Sequence, residues 1–177
     1  TARRKAIARA HTATHMLHKA LQENLGAQAT QAGSENNENR LRFDFHHTRA
    51  LSGEQMTAIA DRINDRLRDN LEVNTEVMPI EEAKKSGATA LFGEKYGSLV
   101  RVVDIGDGWD REFCGGTHMP TTGYLGQVVL MGENSIGSGV RRIEALVADE
   151  ANEFQAKEHA LVSQVASIMG TKPEEIP

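Results

Sequence analysis

Two pairs of side chains in this sequence have the spacing of metal ligands. His11 and His15 stand four apart in His11-Thr12-Ala13-Thr14-His15, and Cys114 and His118 stand four apart in Cys114-Gly115-Gly116-Thr117-His118. On a helix, residues four apart share one face about one turn apart, so both imidazoles of the first pair can converge on one ion. In the second pair, two glycines permit the tight turn that brings a thiolate and an imidazole together. His, His, Cys and His make the borderline donor set that Zn²⁺ takes in tetrahedral geometry. Each pair alone has a plain alternative: two histidines on a helix by chance, or an inert buried thiol beside a surface histidine. Both pairs together, with the only cysteine of the chain in one of them, favour the metal. A zinc protease of the His-Glu-x-x-His type is excluded, because Thr12 stands where its general base would be.

The other histidines carry less. His18 shares the helical face and either replaces a ligand, donates a hydrogen bond behind the ligands, or packs in the core. His46 and His47 end an alternating stretch, one facing in and one out, and His159 reads as solvated. No Gly-x-x-x-x-Gly-Lys-Ser/Thr loop and no Gly-x-Ser-x-Gly elbow occurs, so this segment has neither a P-loop nor that type of serine nucleophile. Ile136-Gly137-Ser138-Gly139-Val140 is glycine-rich but precedes an expected strand, which weakens a dinucleotide reading. Basic residues form small islands: Arg3, Arg4, Lys5 and Arg9; Arg40 and Arg42; Lys84 and Lys85; Arg141 and Arg142. Each alone reads as a solvated face. Several of them converging on the metal would hold a few phosphates, at the end of a strand rather than along a duplex.

Periodicity supplies the elements that must position these groups. Residues 4–25 have apolar positions at Ile7, Ala10, Thr14, Leu17, Leu21 and Leu25 with helical spacing, stopped by Gly26. Residues 28–34 and 40–45 read as a hairpin about a polar turn over 34–39. Ser52-Gly53-Glu54-Gln55 offers a cap to a second amphipathic helix ending near Asn70. Strands are expected over 73–78, 100–105, 110–113, 126–131 and 139–147, a short helix over 80–85, and a glycine-punctuated loop over 90–97. A last helix is expected over 148–169, whose Leu161, Val162, Val165 and Ile168 would pack on a partner. The order is α+β, an antiparallel-rich sheet with packed helices, and it alternates too little for a doubly wound parallel sheet.

A chain of 177 residues buries a core without disulfides, and 39% hydrophobic with 25% charged residues excludes collagen and wholesale disorder. No apolar run approaches the roughly 20 residues of a membrane span, no secretory signal is read at the start, and the lone cysteine makes no internal disulfide. The expected location is therefore cytoplasmic. The absent initial Met and the linker-like end, Lys172-Pro173-Glu174-Glu175-Ile176-Pro177, read as an excised piece of something larger. The net charge of −5 argues against a wide grip on nucleic acid.

His11-Thr12-Ala13-Thr14-His15-Met16-Leu17-His18 and Cys114-Gly115-Gly116-Thr117-His118 resemble the paired zinc motifs of the editing domain of alanyl-tRNA synthetases. Free-standing AlaX proteins share these motifs, and the editing domain of threonyl-tRNA synthetases shares them more distantly. Gln31-Ala32-Gly33-Ser34, Leu41-Arg42-Phe43-Asp44-Phe45, Ala90-Leu91-Phe92-Gly93-Glu94-Lys95-Tyr96 and Gly139-Val140-Arg141-Arg142-Ile143-Glu144-Ala145 are similar to further motifs of the family, in the same order, across about residues 3–150. The sequence departs from that pattern at Glu35-Asn36-Asn37-Glu38, where the family usually carries apolar residues. The resemblance implies an AlaX-like editing fold over residues 1–150, and an exit helix and linker over 151–177 leading toward the C-terminal domain of a parent alanine–tRNA ligase.

It also implies an activity: hydrolysis of the ester that joins Ser or Gly to the 3′ end of the alanine tRNA, with Zn²⁺ on His11, His15, Cys114 and His118. An alanine pocket cannot exclude the smaller Gly and rejects the extra hydroxyl of Ser weakly, so a second sieve is the remedy. Thr14, one residue before a ligand, is expected to select the Ser hydroxyl. Gln31 matches a family position beside the pocket and would position water or the ester carbonyl. Arg141 and Arg142 are expected to contact RNA phosphates. Three protein ligands leave a zinc position open, so one of the four, His11 or Cys114, is expected to be exchangeable. The partners implied are the mischarged alanine tRNA and the rest of the synthetase, with no membrane. The alternatives are a free-standing AlaX-type deacylase, disfavoured by the truncated-looking ends, and a zinc-stabilised RNA-binding module without catalysis.

Overall fold

The computed structural model describes residues 1–90 and 95–176. The helices are α1 (Ala2–Leu25), α2 (Gly53–Arg68), α3 (Ile80–Lys85) and α4 (Asp149–Met169). The strands are β1 (Gln31–Asn37), β2 (Arg40–His46), β3 (Val73–Pro79), β4 (Leu99–Ile105), β5 (Asp110–Phe113), β6 (Val128–Gly137) and β7 (Val140–Val147), with short 3₁₀ turns at Thr122–Leu125 and Pro173–Glu175. One sheet runs β1-β2-β7-β6 and the other β3-β4-β5, and the strand pairings within both are antiparallel. The expected α+β architecture is what forms.

Helix α1 is the spine. Ala10, Ala13, Met16, Leu17, Ala20 and Leu21 are all fully buried, and Thr12, Thr14, His15 and His18 are buried with them. A helix buried on so much of its circumference is sunk into a protein rather than laid on it, and its alanines let neighbours approach. It packs on Leu41, Phe43 and Phe45 of β2, Ile143 and Ala145 of β7, and Ile59, Ile63 and Leu67 of α2. Helix α2 starts as expected: Ser52 Oγ accepts from the Gln55 amide at 3.1 Å while Gln55 Oε1 accepts from the Ser52 amide at 2.9 Å. Trp109, in the turn between β4 and β5, donates to Glu23 Oε1 of α1 at 2.8 Å, and Arg62 of α2 reaches the other carboxylate oxygen at 2.6 Å. Those bonds fasten the smaller sheet to α1 and α2.

Two boundaries differ from the sequence reading. Strand β1 continues through Asn37, because Glu35, Asn36 and Asn37 pair with Arg42, Leu41 and Arg40, and the turn shrinks to Glu38 and Asn39. Its polar residues are occupied: Glu35 with Arg42 at 3.2 Å, Glu38 with Arg3 of α1 at 2.9 Å, and Asn36 with Thr14 of α1 at 2.6 Å. Strand β6 likewise runs on to Gly137, past two bulges, so the glycine-rich stretch is the β6–β7 turn, with Gly139 at φ 70. That use of the glycines ends the dinucleotide reading. Of the motif at residues 90–96, positions 91–94 lie outside the described residues. Leu161, Val162, Val165 and Ile168 of α4 are exposed. Among the described residues, no helix is long and apolar enough to cross a membrane.

Phe43 is fully buried between α1 and the larger sheet, so Phe43→Ala should cost about 3–5 kcal/mol of unfolding free energy. A urea titration that shows no shift of the midpoint would contradict this placement of the core.

Candidate metal centre

A strand places alternate residues on one face, so Asp110 and Glu112 of β5 and Cys114, just beyond its end, point the same way. His11, His15 and His18 share one side of α1 by their spacing of four and three. The two rows meet. Asp110 Oδ2 and Glu112 Oε2 lie 3.4 and 3.0 Å from His15 Nδ1, and Glu112 Oε1 lies 2.5 Å from His18 Nδ1. Cys114 Sγ lies 3.5 Å from His11 Nε2 and 3.4 Å from His118 Nε2. One ligand atom from each of His11, His15, Cys114 and His118 falls within 4.8 Å of the others. The four predicted ligands, 103 residues apart between His11 and Cys114, are thus brought to one point.

Neighbouring groups select the ring nitrogen that each histidine presents. Thr12 Oγ1 directs its single proton to the Ala8 carbonyl at 3.0 Å, and it accepts from the Met119 amide at 3.1 Å. Its contact with His118 Nδ1 at 3.1 Å must then be accepted from Nδ1–H, which leaves Nε2 bare and facing Cys114. At His15 the carboxylates take Nδ1–H in the same way and leave Nε2 for an ion. The loop bearing Cys114 is pinned by Arg101 of β4, whose Nη1 donates to the carbonyls of Cys114 at 2.8 Å and Gly116 at 2.7 Å. Gly116 is required for a different reason: a Cβ there would stand 2.0 Å from Cε1 of His11, so the ring lies against bare backbone. Gly115 has open space around it.

The electrostatics suit metal binding. Burial raises the Cys114 pKa, but the imidazoles of His11, His118 and His15 gathered around the sulfur outweigh it and bring the thiol down to about 3, so it is a thiolate at neutral pH. Burial, with the charges of His15 and His11, lowers His118 to about 4 and keeps it neutral. Burial also works against protonation of His15, yet Asp110, Cys114 and Glu112 together raise its pKa well above the ordinary value. Burial and the charge of Glu112 push Asp110 up to about 6. Glu112 stays ionised because His15 and His18 outweigh its own burial. A thiolate, a neutral imidazole and two more imidazoles in reach fit Zn²⁺ in donor type and number.

The other predicted residues are distributed as follows. Thr14 is 3% exposed, and its hydroxyl sits 2.6 Å from Asn36 Oδ1 and 2.9 Å from the Ala10 carbonyl. Gln31 stands at the opposite end of β1, five residues or about 16 Å along the strand from Asn36, and its amide donates to Ser34 Oγ at 3.2 Å. Arg142 grips Asp44 in two bonds of 2.7 and 2.9 Å, and Arg141 pairs with Glu133. His18 holds Glu112 and is outside the four-ligand cluster. His46 is exposed against Thr30, while His47 stacks on Phe45. Sequence reasoning missed Thr12, Arg101, Asp110 and Glu112. The two acids carried a signal, their even spacing from Cys114 on an expected strand.

Two clefts open beside the centre. One, of about 460 Å³, is lined by His118, Thr117, Gly115, Gly116, Arg101 and Arg4, among others; the second, of about 290 Å³, is lined by His11, Arg4, Ile7 and Thr117 with their neighbours.

Residues 100–144, which carry Arg101, β5 and the Cys-His loop, match the family described as "Threonyl and Alanyl tRNA synthetase second additional domain". Over 99% of its length the chain is 56% identical to the alanine–tRNA ligase of Bifidobacterium longum (strain NCC 2705), and 55% identical to that of Nocardioides sp. (strain ATCC BAA-499 / JS614). The chain is homologous to a segment of the alanine–tRNA ligases. That bears out the resemblance carried by the motifs. An identity of 56% is also found with the alanine–tRNA ligase of Streptomyces avermitilis, and the chain spans about a fifth of the length of these relatives, 20%, 19% and 20% respectively.

Two outcomes follow from the site's geometry. Gly116→Ala should weaken zinc affinity by about 10–100-fold, while Gly115→Ala should leave it within about twofold; equal affinities by competition with a chelating dye would contradict the packing of His11 on Gly116. Zinc loading at pH 7 should release the proton of His15 and none from Cys114, which has already lost its proton, or from His118, which is already neutral. Zinc competes with the His15 proton, so affinity should rise with pH up to the raised pKa of that residue. Calorimetry in buffers of different ionisation enthalpy follows the protons, and an affinity that does not change with pH would contradict the raised pKa of His15.

Proposed function

We propose that this chain is an editing domain that hydrolyses the ester joining Ser or Gly to the 3′ end of the alanine tRNA, with zinc held by His11, His15, Cys114 and His118. The observation that carries the reading is the convergence of those four donors beside open clefts, on a chain related throughout to alanine–tRNA ligases. Zinc there supplies a Lewis acid for the ester carbonyl. An aminoacyl ester is labile, so orientation beside such a centre suffices without a strong protein base.

The chain's own residues then have these parts. Asp110 and Glu112 hold the His15 ring, and Thr12 holds that of His118. His11 is the exchangeable ligand, since it lines a cleft and lies on Gly116 without a carboxylate behind it among the described residues. Thr14 accepts the hydroxyl of a bound Ser on a lone pair of Oγ1, whose own proton is directed to the Ala10 carbonyl or Asn36 Oδ1. Gln31 orients water or the ester carbonyl, which requires the substrate to reach along β1. Arg141 and Arg142 meet RNA phosphates by exchanging them for Glu133 and Asp44. Residues 1–150 form the editing domain, and 151–177 lead toward the rest of a cytoplasmic synthetase, with the exposed apolar face of α4 available to it.

A second reading has support in the completeness of the ligand set, because four protein ligands also make a closed, structural zinc site. One comparison separates the two. The zinc-loaded chain should deacylate seryl-tRNA of the alanine type, and Cys114→Ala should lose zinc and hydrolysis together. Zinc bound with tRNA saturating and no deacylation would sink the enzyme reading, and full zinc occupancy in Cys114→Ala would sink the ligand assignment. Thr14→Val should lower kcat/KM for the seryl ester by about tenfold and spare the glycyl ester; equal losses would remove Thr14 from the selection of Ser.

A further inference from the structure

One buried histidine stands outside the four-donor cluster, and its bonds lead back into it. His18 is 2% exposed, about one turn along α1 from His15, with its ring centre 5.4 Å from that of Phe43. Both of its ring nitrogens are engaged. Gln22, a further turn along the helix, donates its amide to His18 Nε2 at 3.1 Å, so the ring proton sits on Nδ1. Nδ1–H faces Glu112 Oε1 at 2.5 Å, and the other oxygen of that carboxylate, Oε2, faces His15 Nδ1 at 3.0 Å. Gln22, His18, Glu112 and His15 thus form one hydrogen-bonded row that ends on a member of the cluster.

The bond at the end of that row has a competitor. Asp110 Oδ2 also lies near His15 Nδ1, at 3.4 Å. A single N–H serves one acceptor well, so the orientation of the His15 ring depends on which carboxylate takes it. Glu112 is the nearer of the two, and its second oxygen is tied down by His18. Without that donor, Oε1 would be an ionised oxygen held out of water and unpaired, a state that a flexible side chain leaves by turning. Turning Glu112 moves Oε2 off His15 and passes the ring to Asp110.

We propose that His18 is a positioning residue of the centre: through Glu112 it sets the angle at which the His15 ring meets a metal ion. The inference rests on the reading of the four donors as a zinc site, and deepens it. His18 is not one of those donors. Its part is to keep one carboxylate in the rotamer that aims His15, the service that an outer hydrogen-bond partner renders to a ligating imidazole.

The test compares substitutions at position 18 in the full chain. His18→Phe fills the space beside Phe43 and offers no N–H, whereas His18→Asn carries an amide nitrogen near the place of Nδ1 and still donates to Glu112. Zinc affinity, by competition with a chelating dye, should fall by about 10–100-fold in His18→Phe and by less than about threefold in His18→Asn. In a Glu112→Gln background, His18→Phe should cost less than about a further twofold, because the residue through which it acts is already altered. The cobalt-loaded chain gives a second readout: the ligand-field bands should shift in His18→Phe, while the thiolate-to-cobalt band remains. Gln22→Leu, at a half-buried position, loosens the row from its far end and should shift the same bands even if His18→Phe does not fold. Lower thermal stability in His18→Phe with unchanged affinity and bands overturns the proposal. So do a His18→Asn chain as weak as His18→Phe, losses that add to that of Glu112→Gln, and unshifted bands in Gln22→Leu. An unaltered chain that takes up no zinc overturns the metal centre, and the part of His18 with it. A chain that shows the whole pattern yet leaves seryl-tRNA intact supports the part of His18 and overturns the hydrolase reading.

Discussion

Everything in this structure turns on the meeting of two rows of buried polar groups, one on a helix and one on a strand. An unpaired carboxylate taken out of water costs several kcal/mol, and β5 buries two of them, Asp110 and Glu112, followed by a cysteine. They are tolerated because α1 presents imidazoles at matching intervals, so that Glu112 accepts from His15 and from His18. The arrangement is unforgiving of register. A shift of β5 by one residue would aim Arg111 and Phe113 at the histidines and leave the acids facing the Phe113 side of the sheet. Rotation of α1 is fixed by the same bonds. The four clustered donors inherit their positions from these pairs, since His15 belongs to both sets and Cys114 is two residues beyond Glu112 on the same face.

Much of this was legible in the sequence, for a physical reason. A metal ligand is recognised by residue type and local spacing, and both His11/His15 and Cys114/His118 are local pairs. Helix α1, the capping box at Ser52 and the order of strands also depend on neighbours a few residues apart. What could not be read depended on register. Arg142 and Asp44 are directly opposed across β7 and β2, so the arginine looked like a free cation until the pairing was known. Thr12 stands where another motif carries its base, whereas its role here depends on His118 arriving 106 residues later. The hairpin of β1 and β2 ran longer than its polarity suggested because Glu35, Asn36 and Glu38 each find a partner on β2 or α1.

The net charge of −5, from 20 basic and 25 acidic side chains, is a sum, and a polyanion does not meet sums. It meets the local field, which a low-dielectric cleft lined by one sign of charge concentrates. Here the acids have been spent on arginines across the sheets and on the imidazoles of the centre, so the surface beside the His-Cys cluster retains Arg4 and Arg101 without an ion-pair partner among the described residues. Two such cations are few for a nucleic-acid partner, whose affinity grows with each phosphate neutralised. Attraction of this local kind depends on what lies within about a Debye length of the cleft rather than on the sum over the chain.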